Sequence, residues 1–263
     1  MSDGQLAPAE LLEHAVAADV KTLSITDHDT LDAYEGLNSN AFSELTLVPG
    51  VELSTHWGKI GIHVVGLNFR LHDDAICTAI KAQQQARDER AQRIAEKLIR
   101  LGFDDPMARV REIADGAQIG RPHFAQFLVE TGKMKSTAQA FKKLLGAGKS
   151  CDIRIGTSTL ADVIEWVRGA GGTTVLAHPA KYGLTHTKLR ALVKAFQEVG
   201  GDALEVVSGR QPDTLTAELA ALCTAERLLA SCGSDFHAPG HPWSALGNFP
   251  ALPEDCTPVW DRW

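Results

Sequence analysis

A chain of 263 residues, 44% of them hydrophobic, holds enough apolar material for one large core, and no apolar run approaches the roughly 18 residues a membrane helix needs. A formal net charge of −7 excludes a broad nucleic-acid-binding face, because long phosphate tracts are held by excess Lys and Arg, so any phosphate recognition has to be local. Five widely spaced cysteines without a C-x-x-C pair exclude a zinc knot or disulfide framework, and Met1-Ser2-Asp3-Gly4 lacks the features of a secretory signal, so a cytoplasmic protein is expected.

In chain order, residues 6–18 carry apolar positions at helical spacing behind Pro8, and residues 21–26 read as a short buried strand. Residues 46–53 and 60–67 are two further strand-like runs. Residues 73–101 are rich in Gln, Ala, Arg, Glu and Lys without Gly or Pro, which predicts one long helix. Helical pieces at 110–114, 124–130 and 138–145 follow, with no convincing strand before Ile153. Residues 73–150 therefore read as a helical insertion between a first barrel part, 1–72, and a second, 151–263. In the second part helices at 160–168, 189–199 and 214–227 alternate with strands at 173–177, 203–207 and 228–232, a repetition that predicts a parallel sheet.

Three apolar strands run straight into His or Asp: into Asp27-His28-Asp29, into His178-Pro179, and through Gly233-Ser234 into Asp235-Phe236-His237. In a parallel barrel the carboxyl ends of all strands open on one face, so these side chains are expected to converge. Val51-Glu52 reads as the end of another strand, and His63 lies in the next. Imidazoles mixed with carboxylates suit Zn²⁺, Mn²⁺ or Fe²⁺, whereas an all-oxygen set suits Mg²⁺ or Ca²⁺. A lone buried His is more often a hydrogen-bonded core residue than a ligand. Three strand ends of the same kind outweigh that, because Asp235 and His237 would be costly to bury without a cation. His14, His56, His72 and His186 lack such a setting and are expected to face solvent.

With Ser2-Asp3-Gly4, Ile25-Thr26-Asp27-His28-Asp29-Thr30, Gly50-Val51-Glu52, Ala177-His178-Pro179 and Gly233-Ser234-Asp235-Phe236-His237, nearly the whole chain resembles the polymerase-and-histidinol-phosphatase (PHP) family of metal-dependent phosphoesterases. Arg90-Ala91-Gln92-Arg93, Gly120-Arg121-Pro122-His123 and Leu144-Leu145-Gly146-Ala147-Gly148-Lys149 resemble its subgroup that hydrolyses nucleoside 3′,5′-bisphosphates and trims RNA from the 5′ end. The resemblance implies an α/β fold, a distorted (β/α)7 barrel with an inserted helical subdomain. It also implies up to three divalent metal ions, Mn²⁺ foremost with Zn²⁺ or Fe²⁺ as alternatives. The implied ligands are Asp3, His28, Glu52, His63, His178, Asp235 and His237, with Glu52 bridging two ions. Family members begin with a strand carrying His-x-His shortly before Ser-Asp-Gly. Here Met1 directly precedes Ser2, so that first strand and two ligands are expected to be missing, and an inactive PHP-like scaffold stands as an alternative.

The expected reaction is hydrolysis of a phosphate ester by metal-activated water, with His178 or His237 alternatively protonating the leaving oxygen. Arg90, Arg93, Lys97 and Arg100 fall on one helical face beside Ile94, Leu98 and Leu101. Spacing alone favours an exposed charged face. The resemblance instead makes Arg90, Arg93, Arg121 and His123 candidate substrate contacts, and arginine forks suit a second phosphate. Ser208-Gly209-Arg210 is a further candidate, with a plain turn equally expected. The expected partner is a small phosphorylated nucleotide or short RNA. A histidinol-phosphate-type phosphatase is the second reading, and the helical insertion favours the first.

Overall fold

A computed structural model describes residues 4–38, 41–146, 148–153 and 158–263; Asp3 lies outside the described residues. Helix α1 (Pro8–Ala17) starts on a proline pre-set for the first turn, and Glu10 accepts the Ala7 N–H at 3.0 Å. Strand β1 (Thr22–Ser24) pairs in parallel with β2 (Thr46–Val48) to form a two-stranded sheet.

The apolar run from 46 to 53 is two strands rather than one. Pro49 has no N–H to donate, so the ladder stops at Val48 and β3 (Gly50–Trp57) enters a second sheet. Glu52 is consequently the third residue of an eight-residue strand and does not end one. After Gly58-Lys59 the chain returns as β4 (Ile60–Leu67), antiparallel to β3, because a two-residue connection cannot make the crossover that parallel pairing needs. Strands β5 (Thr173–Leu176), β6 (Ala203–Ser208) and β7 (Leu229–Gly233) complete the order β3-β4-β5-β6-β7. The expected parallel pairing holds among these last three, joined through α7 (His186–Glu198) and α8 (Asp213–Ala225), while β4 meets β5 antiparallel.

The two sheets meet at the site. His28 forms an isolated parallel bridge with Glu52. A Cβ at Gly50 would stand 2.0 Å from Ser24 Oγ, so glycine is what lets the start of β3 approach the end of β1.

Alternation along β3 and β4 sends Val51, Leu53, Ile62 and Val64 toward helix α6 (Leu160–Gly169), where they join Val163, Ile164 and Val167 in the main core. Each such fully buried aliphatic contributes about 1.5–3 kcal/mol. The opposite alternation leaves Glu52, Ser54 and His63 on the other face, which becomes the site.

Between β4 and α6 the chain is helical. Asp73 caps α2 (Asp74–Arg100) by accepting the Ala75 and Ile76 N–H groups. The first half of α2 packs Ile76 and Ile80 on the main core. Its second half, with Ile94 and Leu98, encloses a separate core together with α3 (Pro106–Ala114), α4 (Arg121–Glu130) and α5 (Thr137–Ala140). The helix expected over 138–145 continues past α5 as a π turn, Phe141–Leu145. Leu101, expected in the apolar stripe, follows the end of α2 and is 48% exposed. No helix among the described residues is long and apolar enough to cross a membrane.

Candidate metal centre

Glu52, buried on β3, is the hub. Its backbone N–H donates to Asp27 O at 3.1 Å and its carbonyl accepts the Asp29 N–H at 2.9 Å, which lays the Asp27-His28-Asp29 loop alongside the strand. His63 stands opposite Ser54 in the antiparallel ladder and so is the diagonal neighbour of Glu52 on the same face. Its Nδ1 lies 2.6 Å from Glu52 Oε1. His178 Nε2 reaches that same oxygen at 2.9 Å, and His28 Nδ1 lies 3.9 Å from Oε2. Three imidazoles therefore face one carboxylate, with ring centroids 4.7 Å (His28 and His63) and 5.2 Å (His63 and His178) apart.

Backbone devices hold this cluster in place. His178 follows β5 after Ala177 with φ 27°, a left-handed conformation that costs a non-glycine residue about 1–3 kcal/mol. Glu205, on β6, accepts the His178 backbone N–H at 2.5 Å and stabilises that turn. The Tyr182 hydroxyl accepts the His63 backbone N–H at 3.0 Å and donates to Ala177 O at 2.8 Å, tying the strands that carry His63 and His178. The Tyr182 ring sits edge-on to His178 at 5.5 Å. Tyr34 plays the same part between the end of β1 and the start of β3. Its hydroxyl accepts the Gly50 N–H at 2.8 Å and donates to Ile25 O at 2.7 Å, and burial pushes its pKa up to about 12.

Electrostatics agree with the geometry. Burial alone would raise the Glu52 carboxyl, but His28, His63 and the hydrogen bonds from His178 and His63 hold it well below the usual carboxylate range. Burial pushes His63 down, toward the neutral form that ligates metals. Burial also opposes a charged His178, yet the hydrogen bond and charge of Glu52 outweigh it and raise this residue. Glu205 is raised by burial.

The other side of the cavity is looser. Asp235 follows β7 with φ 51° and its carboxylate pairs with Lys181. His237 Nδ1 sits 2.9 Å from the Asp235 carbonyl oxygen, an acceptor that places the proton on Nδ1 and makes Nε2 the lone-pair end. His28, Glu52, His178, Glu205, Asp235 and His237 line one cavity of about 670 Å³.

This donor set fits divalent cations. Ligand atoms of His28, Glu52 and His63 lie within 4.8 Å of one another. His63 Nδ1 and His178 Nε2 converge to 3.3 Å on the same carboxylate oxygen, an arrangement a cation accommodates better than shared protons. His178 Nδ1 is buried without a hydrogen-bond partner among the described residues. A mixed nitrogen and carboxylate set matches Zn²⁺, Mn²⁺ or Fe²⁺.

No family model matches the chain. It is 41% identical over 265 residues, 100% of its length and 90% of the other, to the 5′-3′ exoribonuclease Rnm of Escherichia coli (strain K12). It is 35% identical over 264 residues to the 3′,5′-nucleoside bisphosphate phosphatase of Chromobacterium violaceum, covering 98% of this chain and 92% of that one. A solved structure from Bifidobacterium adolescentis, described as a metal-dependent phosphoesterase, superposes with a TM-score of 0.79 at 27% identity over 98% of this chain and 89% of that one. The chain belongs to the PHP family of metal-dependent phosphoesterases. It is thereby a hydrolase of phosphoester bonds, and divalent metal use accords with the donor set of this PHP site.

The basic residues singled out by sequence part company in the structure. Arg90 is half-buried on α2, its Nε without a hydrogen-bond partner among the described residues. Burial, then the charges of Arg121 and Arg87, push its pKa down to about 9. Arg121, at the start of α4, also feels Arg87; it donates to Leu145 O at 3.3 Å and lies 3.9 Å from Asp152. Arg93 is exposed and stands 3.9 Å from Glu89. His123 turns Nδ1 back to accept the Gly120 N–H at 2.9 Å, closing the first turn of α4. Lys97 donates to Ser150 O at 2.7 Å. Sequence reasoning missed Glu205, Lys181 and Tyr182, and named Asp29 only as part of its motif. Glu205 carried a usable signal, a lone acid inside Ala203-Leu204-Glu205-Val206-Val207.

Proposed function

We propose that this PHP phosphoesterase acts on nucleotides carrying two phosphates, nucleoside 3′,5′-bisphosphates, and on the 5′ ends of short RNA. The observation that carries the reading is the pairing of two sites: imidazoles gathered on Glu52, and a half-buried guanidinium, Arg90, whose Nε has no acceptor among the described residues. A half-buried guanidinium whose Nε has no acceptor among the described residues favours an anion, and the acts named for the two relatives, on RNA and on nucleoside bisphosphates, supply one in a second phosphate.

His28, Glu52, His63 and His178 would hold divalent cations, with Asp235 and His237 completing the set and Mn²⁺ as the proposed metal; Asp3 belongs to the proposal from its motif alone. Such ions supply Lewis-acid polarisation of phosphoryl oxygens and lower the pKa of an attacking water. The cleaved phosphate enters the 670 Å³ cavity, and the second phosphate lies against Arg90 and Arg121, with Arg93 and His123 flanking them. In the alternative role, His237, half-exposed on its loop, would protonate the leaving oxygen instead of holding a cation. The helical segment between β4 and α6 is thus the recognition part of the molecule.

The test is substrate selectivity. Arg90→Ala and Arg121→Ala should each lower kcat/KM for a nucleoside 3′,5′-bisphosphate by about 10-fold or more while sparing a simple aryl phosphate, which has no second phosphate to lose. Equal losses on both substrates would remove the selective role. Elemental analysis of protein supplied with Mn²⁺, Zn²⁺ and Fe²⁺ in turn would decide the metal.

A further inference from the structure

Asp29 is fully buried and Arg87 is 7% exposed, and neither belongs to the donor set. Arg87 Nε donates to Asp29 Oδ2 at 2.5 Å, and Arg87 Nη2 donates to Ser54 Oγ at 2.8 Å. Asp29 Oδ1 accepts the Ser54 N–H at 2.7 Å and the Gln83 amide at 3.2 Å. That amide also donates to Ser54 O at 2.6 Å, and Gln83 Oε1 accepts from Ser158 Oγ at 2.8 Å. Gln84 donates to Thr30 Oγ1 at 3.0 Å. One network thus joins the loop carrying His28, the strand carrying Glu52 and the long helix α2.

Stability is a poor reason for this arrangement, since a buried ion pair is often replaceable by apolar residues of similar volume without loss. Its geometry is specific where apolar packing is not. Ile76 and Ile80 would tolerate a small slide of α2 on the core, whereas bonds from Gln83, Gln84 and Arg87 to fixed atoms of two other segments would not. Arg90 follows Arg87 by three residues, about 4.5 Å farther along the same helix.

We infer that the Asp29–Arg87 pair is a positioning device that registers α2 on the metal-ligating loop and strand, so that the spacing between the metal centre and Arg90 selects substrates with two phosphates. The inference rests on the functional reading above. Asp29, next to His28, and Arg87, one turn before Arg90, are two ends of a ruler between cleaved and retained phosphate.

Arg87→Lys keeps the charge but loses the fork that binds Asp29 and Ser54 together. It should cut kcat/KM for a nucleoside 3′,5′-bisphosphate by about 10- to 100-fold, the scale of a misplacement near 1 Å, while aryl phosphate turnover and bound Mn²⁺ stay near the parent protein. Ser54→Ala, which removes only the hydroxyl that receives Arg87, should shift the same ratio in the same direction by less. A parallel fall on both substrates, or no change on either, would overturn the inference. So would failure of both variants to fold, because the pair would then carry the fold itself. If the parent protein shows no preference for the bisphosphate, the functional reading fails first. If Arg90→Ala abolishes the preference and Arg87→Lys keeps it, only the positioning role fails.

Discussion

Glu52, His63 and His178 stand on or just beyond three neighbouring strands and touch one another, whereas Asp235 and His237 stand on the loop after β7, where Asp235 pairs with Lys181 and the His237 side chain is 46% exposed. The first group is set by strand alternation, by the Tyr182 hydroxyl and by the Glu205 carboxylate. The second is set by a loop and a half-exposed lysine. Side chains on rigid strands keep their geometry before any cation arrives, while a loop that shares its carboxylate with Lys181 would have to exchange partners to hold one.

The largest effect that would break this comparison is on Glu52. Glu52→Gln leaves three imidazoles without their common anion, so elemental analysis should find little metal and phosphate release should fall by more than about 100-fold, beyond the cost of losing an outer-shell partner. Asp235→Asn should lose less of both; equal losses would mean that the two sides act as one rigid unit.

Tyr182→Phe comes next. It strips the acceptor from the His63 N–H and the donor from Ala177 O, which should destabilise the fold by about 1–3 kcal/mol in urea titrations. Metal affinity should fall by about 10-fold or more. Unchanged metal affinity would show that strand pairing alone holds His63 and His178.

Acid sensitivity sharpens the contrast from the fixed side. Burial raises the Asp29 carboxyl, but the Arg87 charge and the Ser54 hydrogen bonds overcome this and leave it lowered. A lowered folded pKa gives stability that is fully present above the unfolded value of about 3.9 and is lost as pH falls through the folded one. Chemical denaturation below about pH 4 should therefore show a steeper loss in the parent protein than in Asp29→Asn, whatever the baseline of the variant.

The smallest effect belongs to the loose side. Lys181→Met removes a half-exposed competitor for Asp235, a pair worth at most about 1 kcal/mol, so apparent Mn²⁺ affinity should rise by about fivefold or less. A fall in affinity would show that Lys181 supports the loop.

Most elements were legible because their patterns are local. The α2 stretch lacks Gly and Pro, β5, β6 and β7 alternate with helices, and three apolar strands run into His or Asp. The break at Pro49 was also written in the chain, yet the run 46–53 reads as one strand unless the missing donor is weighed against continuous hydrophobicity. Arg90 and Arg93 show a limit of spacing. Three residues on a helix differ by about 60° in direction, too little to reveal which edge of a face is covered. Packing of α2 against its neighbours half-buries Arg90 and leaves Arg93 exposed.

By itself the sequence determined the family, the helical and strand segments, and the imidazole and carboxylate chemistry, since these depend on residue type and short-range order. Only the tertiary structure decided that β3 and β4 form an antiparallel hairpin bringing His63 diagonally onto Glu52, and that Tyr182 and Glu205 brace the cluster. It alone decided, too, that Asp29 meets Arg87. Those contacts join residues 58 to 119 positions apart or depend on which face of a strand turns inward, and both are settled when the sheet and helices close on their cores.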